Sequence, residues 1–357
     1  MEAAHDFFAV AVPGTEPFVA TELTELGIAF PQRQDGGVAF SASLSDARRL
    51  SQQLHTPTRL LLRMGEFPAI RFAELVRKTA NLNWASLLRS GQEFRVRATC
   101  RHSKLYHSSA VEQRIRTGIE EGLQSSAASY SGAVARESEP PLIVARLEDN
   151  HCTLSITIGS PDLHRRGYRQ ETAKAPLREN LAAVLLYAAD WDSRTPLIDP
   201  FCGSGTIAIE ATLLAARRGI AAHDRPLILA ADRDAGACRM TQANADRARN
   251  AADCIQISNQ SVSDLLLPDT AVAGHIITNP PYGKRVNSSR DLRNLYARFG
   301  TVLREGFSGW QLTMLCTAGA EGDILTGQMG LPLKTVATFS NGGLPVGIRS
   351  CRIPQTG

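Results

Sequence analysis

Cysteine is scarce in this chain of 357 residues: there are seven, an odd number, and no two are spaced as Cys-x-x-Cys. A disulfide framework is therefore not expected, and reduced thiols in a cytoplasmic protein are. The eight histidines show no metal-ligand spacing either, so no metal is expected. No apolar run approaches the ~20 residues that cross a bilayer. The short apolar patch Phe7–Val12 lacks a basic flank, which argues against a signal peptide. Aspartate is missing altogether from Arg59 to Arg116, where twelve Lys/Arg meet only four Glu, a surplus of eight. The whole chain carries +4, so the remainder sums to −4. One segment holds the positive field, which points to a polyanionic partner; a merely solvated basic face is the alternative.

What is present reads as two kinds of organisation. Phe7–Val12 predicts a strand, Glu16–Leu26 a helix stopped by Gly27, Val38–Phe40 a strand and Leu44–Leu54 a helix. This order suggests a small α+β unit over 1–58. A second unit, 59–160, opens with a strand at Arg59–Met64 and a helix at Phe72–Thr79. In "EFRVRATCR", Phe94, Val96, Ala98 and Cys100 alternate with Arg95, Arg97, Thr99 and Arg101, so one strand face is apolar and the other basic. A helix capped by Ser108 or Ser109 follows, its buried stripe Val111, Ile115, Ile119 and Leu123. Strands at Leu142–Leu147 and Cys152–Ile158 complete this part, after a polar loop from Ser125 to Pro141.

Residues 161–178 read as a linker, and from 179 to 357 the pattern changes. A helix over Arg178–Trp191 leads into apolar strands at Leu197-Ile198, Leu227–Ala231, Ile276–Thr278 and Leu312–Thr317, separated by helical stretches. That alternation predicts βαβ units and a parallel sheet buried on both faces. "SNGG" (340–343), between Val336–Phe339 and Val346–Ile348, predicts a terminal hairpin.

Three strand ends carry chemistry. "LIDPFCGSGTIAIEA" places Asp199 at a strand end, then Gly203 and Gly205, where a β-carbon would obstruct a ligand, then a helix apolar nearly all round. The third glycine of the dinucleotide fingerprint and the lysine of a phosphate loop are both missing, which argues against those ligands. A nucleoside-type ligand over the strand ends remains, beside the plainer reading of a tight turn with nothing bound. Asp232 ends the next strand, where a carboxylate can take both ribose hydroxyls; Asp234 reads as a helix cap. "NPPY" ends the third. Asn279 and Pro280 offer an amide oxygen and a carbonyl, Pro281 holds Pro280 extended, and Tyr282 adds an aromatic face. Two acceptors beside a ring suit a planar base bearing an exocyclic amine, and bonds that tighten as that nitrogen becomes tetrahedral favour the transition state.

With these residues in place, the chain resembles the S-adenosylmethionine-dependent class I methyltransferases, through "DPFCGSGT", Asp232 and "NPPYG" in that order. "LHRRGYR" and "APLREN" within 163–180 and "SKLYHSSAVEQR" (103–114) resemble the THUMP-domain RNA guanine-N2 methyltransferases in particular. The resemblance implies an α/β architecture: a Rossmann-like methyltransferase domain with a mostly parallel seven-stranded sheet and terminal antiparallel hairpin, preceded by ferredoxin-like and THUMP domains. It implies methyl transfer to the N2 amine of a guanosine in structured RNA, tRNA or ribosomal RNA, with S-adenosylmethionine as cofactor and neither metal, membrane nor obligate protein partner.

Carried onto this sequence, the cofactor residues are Ala175, Pro176, Leu177, Asp199, Pro200, Phe201, Cys202, Gly203, Ser204, Gly205, Thr206, Asp232, Arg233, Ser261, Val262 and Asn279. Asn279, Pro280, Pro281 and Tyr282 receive the target. Where the family shows an acid toward the adenine amine, this chain has Ser261, with Asp264 as the other candidate. The basic set Arg95, Arg97, Arg101, Lys104, His107 and Arg114 is expected to bind RNA phosphates. At this length the second methyltransferase domain of some large-ribosomal-RNA members is not expected. Two other readings stand beside this one: N6-adenine methylation of DNA or RNA, which "NPPY" serves equally, and a non-catalytic RNA-binding or assembly factor.

Overall fold

The computed structural model describes residues 3–125, 139–170, 177–248, 251–266, 272–282 and 289–355. The chain forms two compact units that do not follow the sequence in simple order. One comprises Met1–Ala11 with Leu23–Leu163, the other Val12–Glu22 with His164–Gly357.

The first unit contains β1 (His5–Val10), the end of α1 (Glu16–Glu25), β2 (Gln32–Gln34), β3 (Gly37–Ala42), α2 (Leu44–Gln53), β4 (Arg59–Pro68) and α3 (Phe72–Ala80). It continues with β5 (Arg95–Arg101), α4 (Ser108–Ser125), β6 (Leu142–Glu148) and β7 (His151–Thr157). Among the described residues these strands make one seven-stranded sheet in the order β2-β3-β1-β4-β7-β6-β5. β4 pairs with β1 on one side and β7 on the other, so one sheet runs across residues 58 and 59. Gly27 stops α1 with φ +95°, and the Ile28 amide reaches back to the Leu23 carbonyl at 3.0 Å.

The alternation of β5 is as expected: Phe94 and Ala98 are buried while Arg95, Arg97 and Arg101 are exposed. α4 differs in two respects. It begins at Ser108, so both expected capping serines lie inside the helix. Its buried stripe takes in Gly118 and Gly122, and Leu123 is only half-buried. The cause is close packing on α3. A β-carbon on Gly118 would stand 2.7 Å from the Val76 carbonyl, and one on Gly122 2.6 Å from that of Ala80. Most of the expected loop Ser125–Pro141 lies outside the described residues.

The second unit comprises α5 (Glu179–Ala188), β8 (Leu197–Asp199), α6 (Thr206–Arg217), β9 (Ile228–Asp232), α7 (Ala235–Arg247) and β10 (Gln256–Asn259). Then come β11 (His275–Thr278), α8 (Ser289–Gly306), β12 (Gln311–Thr317), α9 (Ala320–Gly327), β13 (Lys334–Asn341) and β14 (Leu344–Arg352). The sheet order is β10-β9-β8-β11-β12-β14-β13, parallel from β10 to β12 and antiparallel where β14 inserts. The expected hairpin is present, its turn made by Gly342 and Gly343 at φ +59° and +82°.

Both faces of this sheet are covered, as the unbroken apolar strands require. Leu197 and Ile277 point into a core shared with α5 and α6. Ile198 and Ile276 point into the opposite core, filled by Tyr296, Phe299 and Leu303 of α8. Asp234 caps α7 as expected, accepting from the Gly236 amide at 2.7 Å. α5 ends sooner than expected, at Ala188, and Asp190 follows with φ +51°.

Candidate active site

β8 lies between β9 and β11, so the connections leave it in opposite directions and a crevice opens at the carboxyl ends of the strands. A cavity of about 630 Å³ fills this position. Asp199 from the end of β8, Asp232 from the end of β9, and Asn279 just past β11 all line it. The three strand ends singled out in the sequence thus meet around one space.

Asp199 is 1% exposed. The Thr278 hydroxyl donates to it at 2.6 Å and the Phe201 amide at 3.2 Å. Burial nevertheless pushes its carboxyl up to about 7, and the nearby Asp232 charge acts in the same direction. Asp232 accepts from the amides of Gly203 and Asp234, both at 3.0 Å. The glycine turn is held from behind by α7. Thr241 donates to the Gly203 carbonyl at 3.1 Å, and the Asn244 amide group to the Ser204 carbonyl at 3.1 Å. Gly205, the N-cap of α6, has φ +80°, and a β-carbon there would stand 2.6 Å from the Thr241 methyl. Burial, with Asp199 beside it, pushes the Cys202 thiol well above its ordinary range, so it is an inert wall rather than a nucleophile.

The segment just past β11 is built on the prolines. The Asn279 side-chain oxygen is buried and has no hydrogen-bond partner among the described residues. Such an acceptor is costly unless something fills it. Pro280, Pro281 and Tyr282 line the cavity beside it, with Tyr282 8% exposed. The Tyr296 hydroxyl, on α8, donates to the Pro281 carbonyl at 3.3 Å.

Of the other expected cofactor residues, Leu177, Pro200, Phe201, Cys202, Ser204, Thr206, Arg233, Ser261 and Val262 line the same cavity. Gly205 stands behind it, and Ala175 and Pro176 lie outside the described residues. Ser261 caps the turn Val262–Asp264, accepting from the Ser263 amide at 3.2 Å. Asp264, the other candidate, is exposed and is not among the lining residues.

Sequence reasoning missed the wall supplied by α8. Leu292, Leu295 and Arg298 line the cavity, and Arg298 is held by the Ser263 hydroxyl at 3.2 Å. The recurrence of Leu292, Tyr296, Phe299 and Leu303 at helical spacing was the available signal.

In the first unit, Arg95, Arg97, Arg101, Lys104, His107 and Arg114 are all exposed. Arg95 faces Glu139 at 3.3 Å, and the His107 ring packs on exposed Tyr106 with centroids 4.1 Å apart. Among the described residues no cluster could hold a metal ion and no helix is long and apolar enough to cross a membrane.

Residues 166–329 match the family described as "RMKL-like, methyltransferase domain", and residues 6–61 match an RlmL ferredoxin-like domain. A protein of Synechocystis sp. named "Putative RNA methyltransferase slr0064" is 30% identical, with 95% of this chain and 94% of that protein covered. The ribosomal RNA large subunit methyltransferase K/L of Syntrophotalea carbinolica is 32% identical over 87% of this chain. This chain spans about half the length of that relative, 49%. Among solved structures, one described as a possible methylase from Clostridium difficile 630 superimposes with a TM-score of 0.82 at 25% identity. The superposition covers 99% of this chain and 100% of that one.

Proposed function

We propose a function from one premise: the chain belongs to the family of RNA methyltransferases that carry the RMKL-like methyltransferase domain. Its reaction is transfer of a methyl group from S-adenosylmethionine to the exocyclic N2 amine of a guanosine in structured RNA. The observation that carries this reading is the buried, unpartnered oxygen of Asn279, a residue that lines the same cavity as Asp199, Asp232 and Gly203.

The residues fit the cofactor. Asp232 lines the cavity and accepts one amide on each oxygen, which leaves it acceptor capacity for ribose hydroxyls, and Gly203 has no side chain to obstruct a close approach. Val262, Phe201, Leu292 and Leu295 form an apolar slot of the kind an adenine ring fills. Asp199 lies where a cationic methionine end would be stabilised, and Ser261 is the hydroxyl nearest the role of an adenine-amine acceptor. When bound, the cofactor supplies an electrophilic methyl on a sulfonium. The chain's part is to orient the nucleophile: Asn279 and the Pro280 carbonyl accept the two amine hydrogens, aim the nitrogen lone pair, and strengthen their hold as positive charge develops there. Tyr282 offers the base an aromatic wall, a contact worth about 1–3 kcal/mol in base stacking. The proton leaves to water after transfer.

Arg95, Arg97, Arg101, Lys104, His107 and Arg114 would hold RNA phosphates, and the domain roles run as the resemblance implies: ferredoxin-like at 1–58, THUMP at 59–160, linker at 161–178 and methyltransferase at 179–357. A ribosomal substrate is favoured over tRNA by the name of the Syntrophotalea relative. The test is methyl transfer from labelled cofactor into unmodified ribosomal RNA and tRNA, with the product nucleoside identified by mass spectrometry. N2-methylguanosine supports the reading; N6-methyladenosine transfers it to the adenine alternative, and no incorporation into either RNA overturns it. Replacing Arg95, Arg97 and Arg101 by Gln should weaken RNA binding and flatten its salt dependence by about three phosphate contacts at most.

A further inference from the structure

The short segment leading into α5 carries two half-buried arginines that point to different partners. Arg166 donates through Nε to both oxygens of Glu210 at 3.2 and 3.4 Å, and the Tyr168 hydroxyl donates to the same carboxylate at 3.0 Å. Glu210 is fully buried in α6, so this arm fastens the segment to the helix behind the glycine turn. Arg169 points to the chain eight residues ahead. Its Nη1 donates to the Leu177 carbonyl at 2.7 Å, and its Nη2 lies 3.0 Å from Glu179 Oε2, an ion pair whose alignment falls short of a hydrogen bond. Both side chains are largely enclosed, 15% exposed for Arg169 and 3% for Glu179. Leu177 lines the cavity, and Glu179 is the first residue of α5.

We propose that Arg169 is a positioning residue for the cofactor, fixing Leu177 as one wall of the cavity through that residue's carbonyl and the Glu179 carboxylate. The proposal rests on the reading of the cavity as an S-adenosylmethionine site. A planar guanidinium can hold a carbonyl and a carboxylate at once in fixed relative orientation. It therefore sets the Leu177 peptide plane against the start of α5, as an ammonium on a flexible stem cannot. Arg166 contributes to the same segment differently: its partner Glu210 lies in the interior of α6, behind the glycine turn. The two arms should thus separate in function. Loss of the Arg166 arm should weaken the fold, whereas loss of Arg169 should weaken cofactor binding.

The experiment is calorimetric titration of the full chain with S-adenosylmethionine and S-adenosylhomocysteine, paired with steady-state kinetics. It compares the wild type with Arg169→Lys, Arg169→Met, Arg169→Gly and Arg166→Met. Arg169→Met should raise the cofactor KM and Kd by roughly tenfold or more, as expected for a charge-assisted bond, while kcat stays within about threefold. Arg169→Lys should recover part of the affinity, and millimolar guanidinium should restore binding to Arg169→Gly. Arg166→Met should lower Tm with cofactor affinity unchanged. Unchanged cofactor KM and Kd in folded Arg169→Lys and Arg169→Met overturns the proposal, as does an effect on Tm alone. A wild type that binds neither cofactor form overturns the cavity reading itself, and the wild-type titration tells the two failures apart.

Discussion

Thr278 donates its hydroxyl to Asp199 at 2.6 Å, tying the end of β11 to the end of β8. The next residue after each is part of the proposed chemistry: Asn279 on one strand, Pro200 on the other. One buried bond therefore sets the spacing between the amine acceptor and the cofactor turn. Thr278→Val keeps the shape and removes the donor, leaving a buried carboxylate short of a partner. It should cost about 1–3 kcal/mol in urea unfolding and lower methyl transfer.

Asp199 also predicts a pH dependence. Its folded carboxyl, raised by burial to about 7, holds its proton more tightly than in the unfolded chain, where it titrates near the ordinary value of about 4. Its contribution to stability is present at low pH and lost as pH rises through roughly 4 to 7, amounting to a few kcal/mol in order of magnitude. Asp199→Asn should remove this component from the pH profile of urea stability. If the cationic cofactor binds beside Asp199, binding should release a proton near pH 6–7, read by calorimetry in buffers of different ionisation enthalpy.

Asn279→Ala removes the buried acceptor. Under the proposed mechanism kcat should fall at least ~100-fold, the scale of a lost transition-state hydrogen bond, with cofactor Kd changed only a few-fold. RNA binding should persist. A variant with full activity would remove Asn279 as the amine acceptor, whereas a wild type without methyl transfer but with RNA binding would argue for the non-catalytic alternative.

Tyr296→Phe deletes the hydroxyl that anchors the Pro281 carbonyl and leaves the packed ring in place. The prolines fix local backbone shape, while Tyr296 fixes where that shape sits. The expected result is a kcat loss of roughly threefold to tenfold, one ordinary hydrogen bond, without change in cofactor KM.

Gly205→Ala brings a β-carbon to 2.6 Å from the Thr241 methyl at a residue with φ +80°. The strain of a left-handed alanine and the displacement of α7 add, so a loss of about 1–3 kcal/mol in stability is expected. Cofactor binding should weaken with it, because Thr241 also holds the Gly203 carbonyl.

The parallel sheet and its terminal hairpin were legible because buried strands are unbroken apolar runs and the Gly342-Gly343 turn has few alternatives. Strand-end residues were legible for the same reason, since a strand's last residue fixes which edge it occupies. β10 was not: "QISN" at the sheet edge has one apolar residue and half-exposed neighbours, so no run announces it. The α8 wall was hidden because Leu292, Leu295 and Arg298 reach the cavity only by tertiary packing. The α4 stripe drifted onto Gly118 and Gly122 because glycine lets two helices approach, which hydrophobic periodicity does not register.

The interleaving of the two units has a consequence for how the protein can be made or dissected. Val12 and Phe18 pack against the core of the second unit, and Glu22, fully buried, pairs with Arg217 of α6. This segment leaves the ribosome about 140 residues before the unit it belongs to begins at His164. It must stay available until α6 has formed, so the later-made unit is finished by a piece of chain made well before it. A single cut near residue 163 would yield a methyltransferase fragment missing a structural part; the natural way to separate the units is a circular permutation that carries residues 12–22 along.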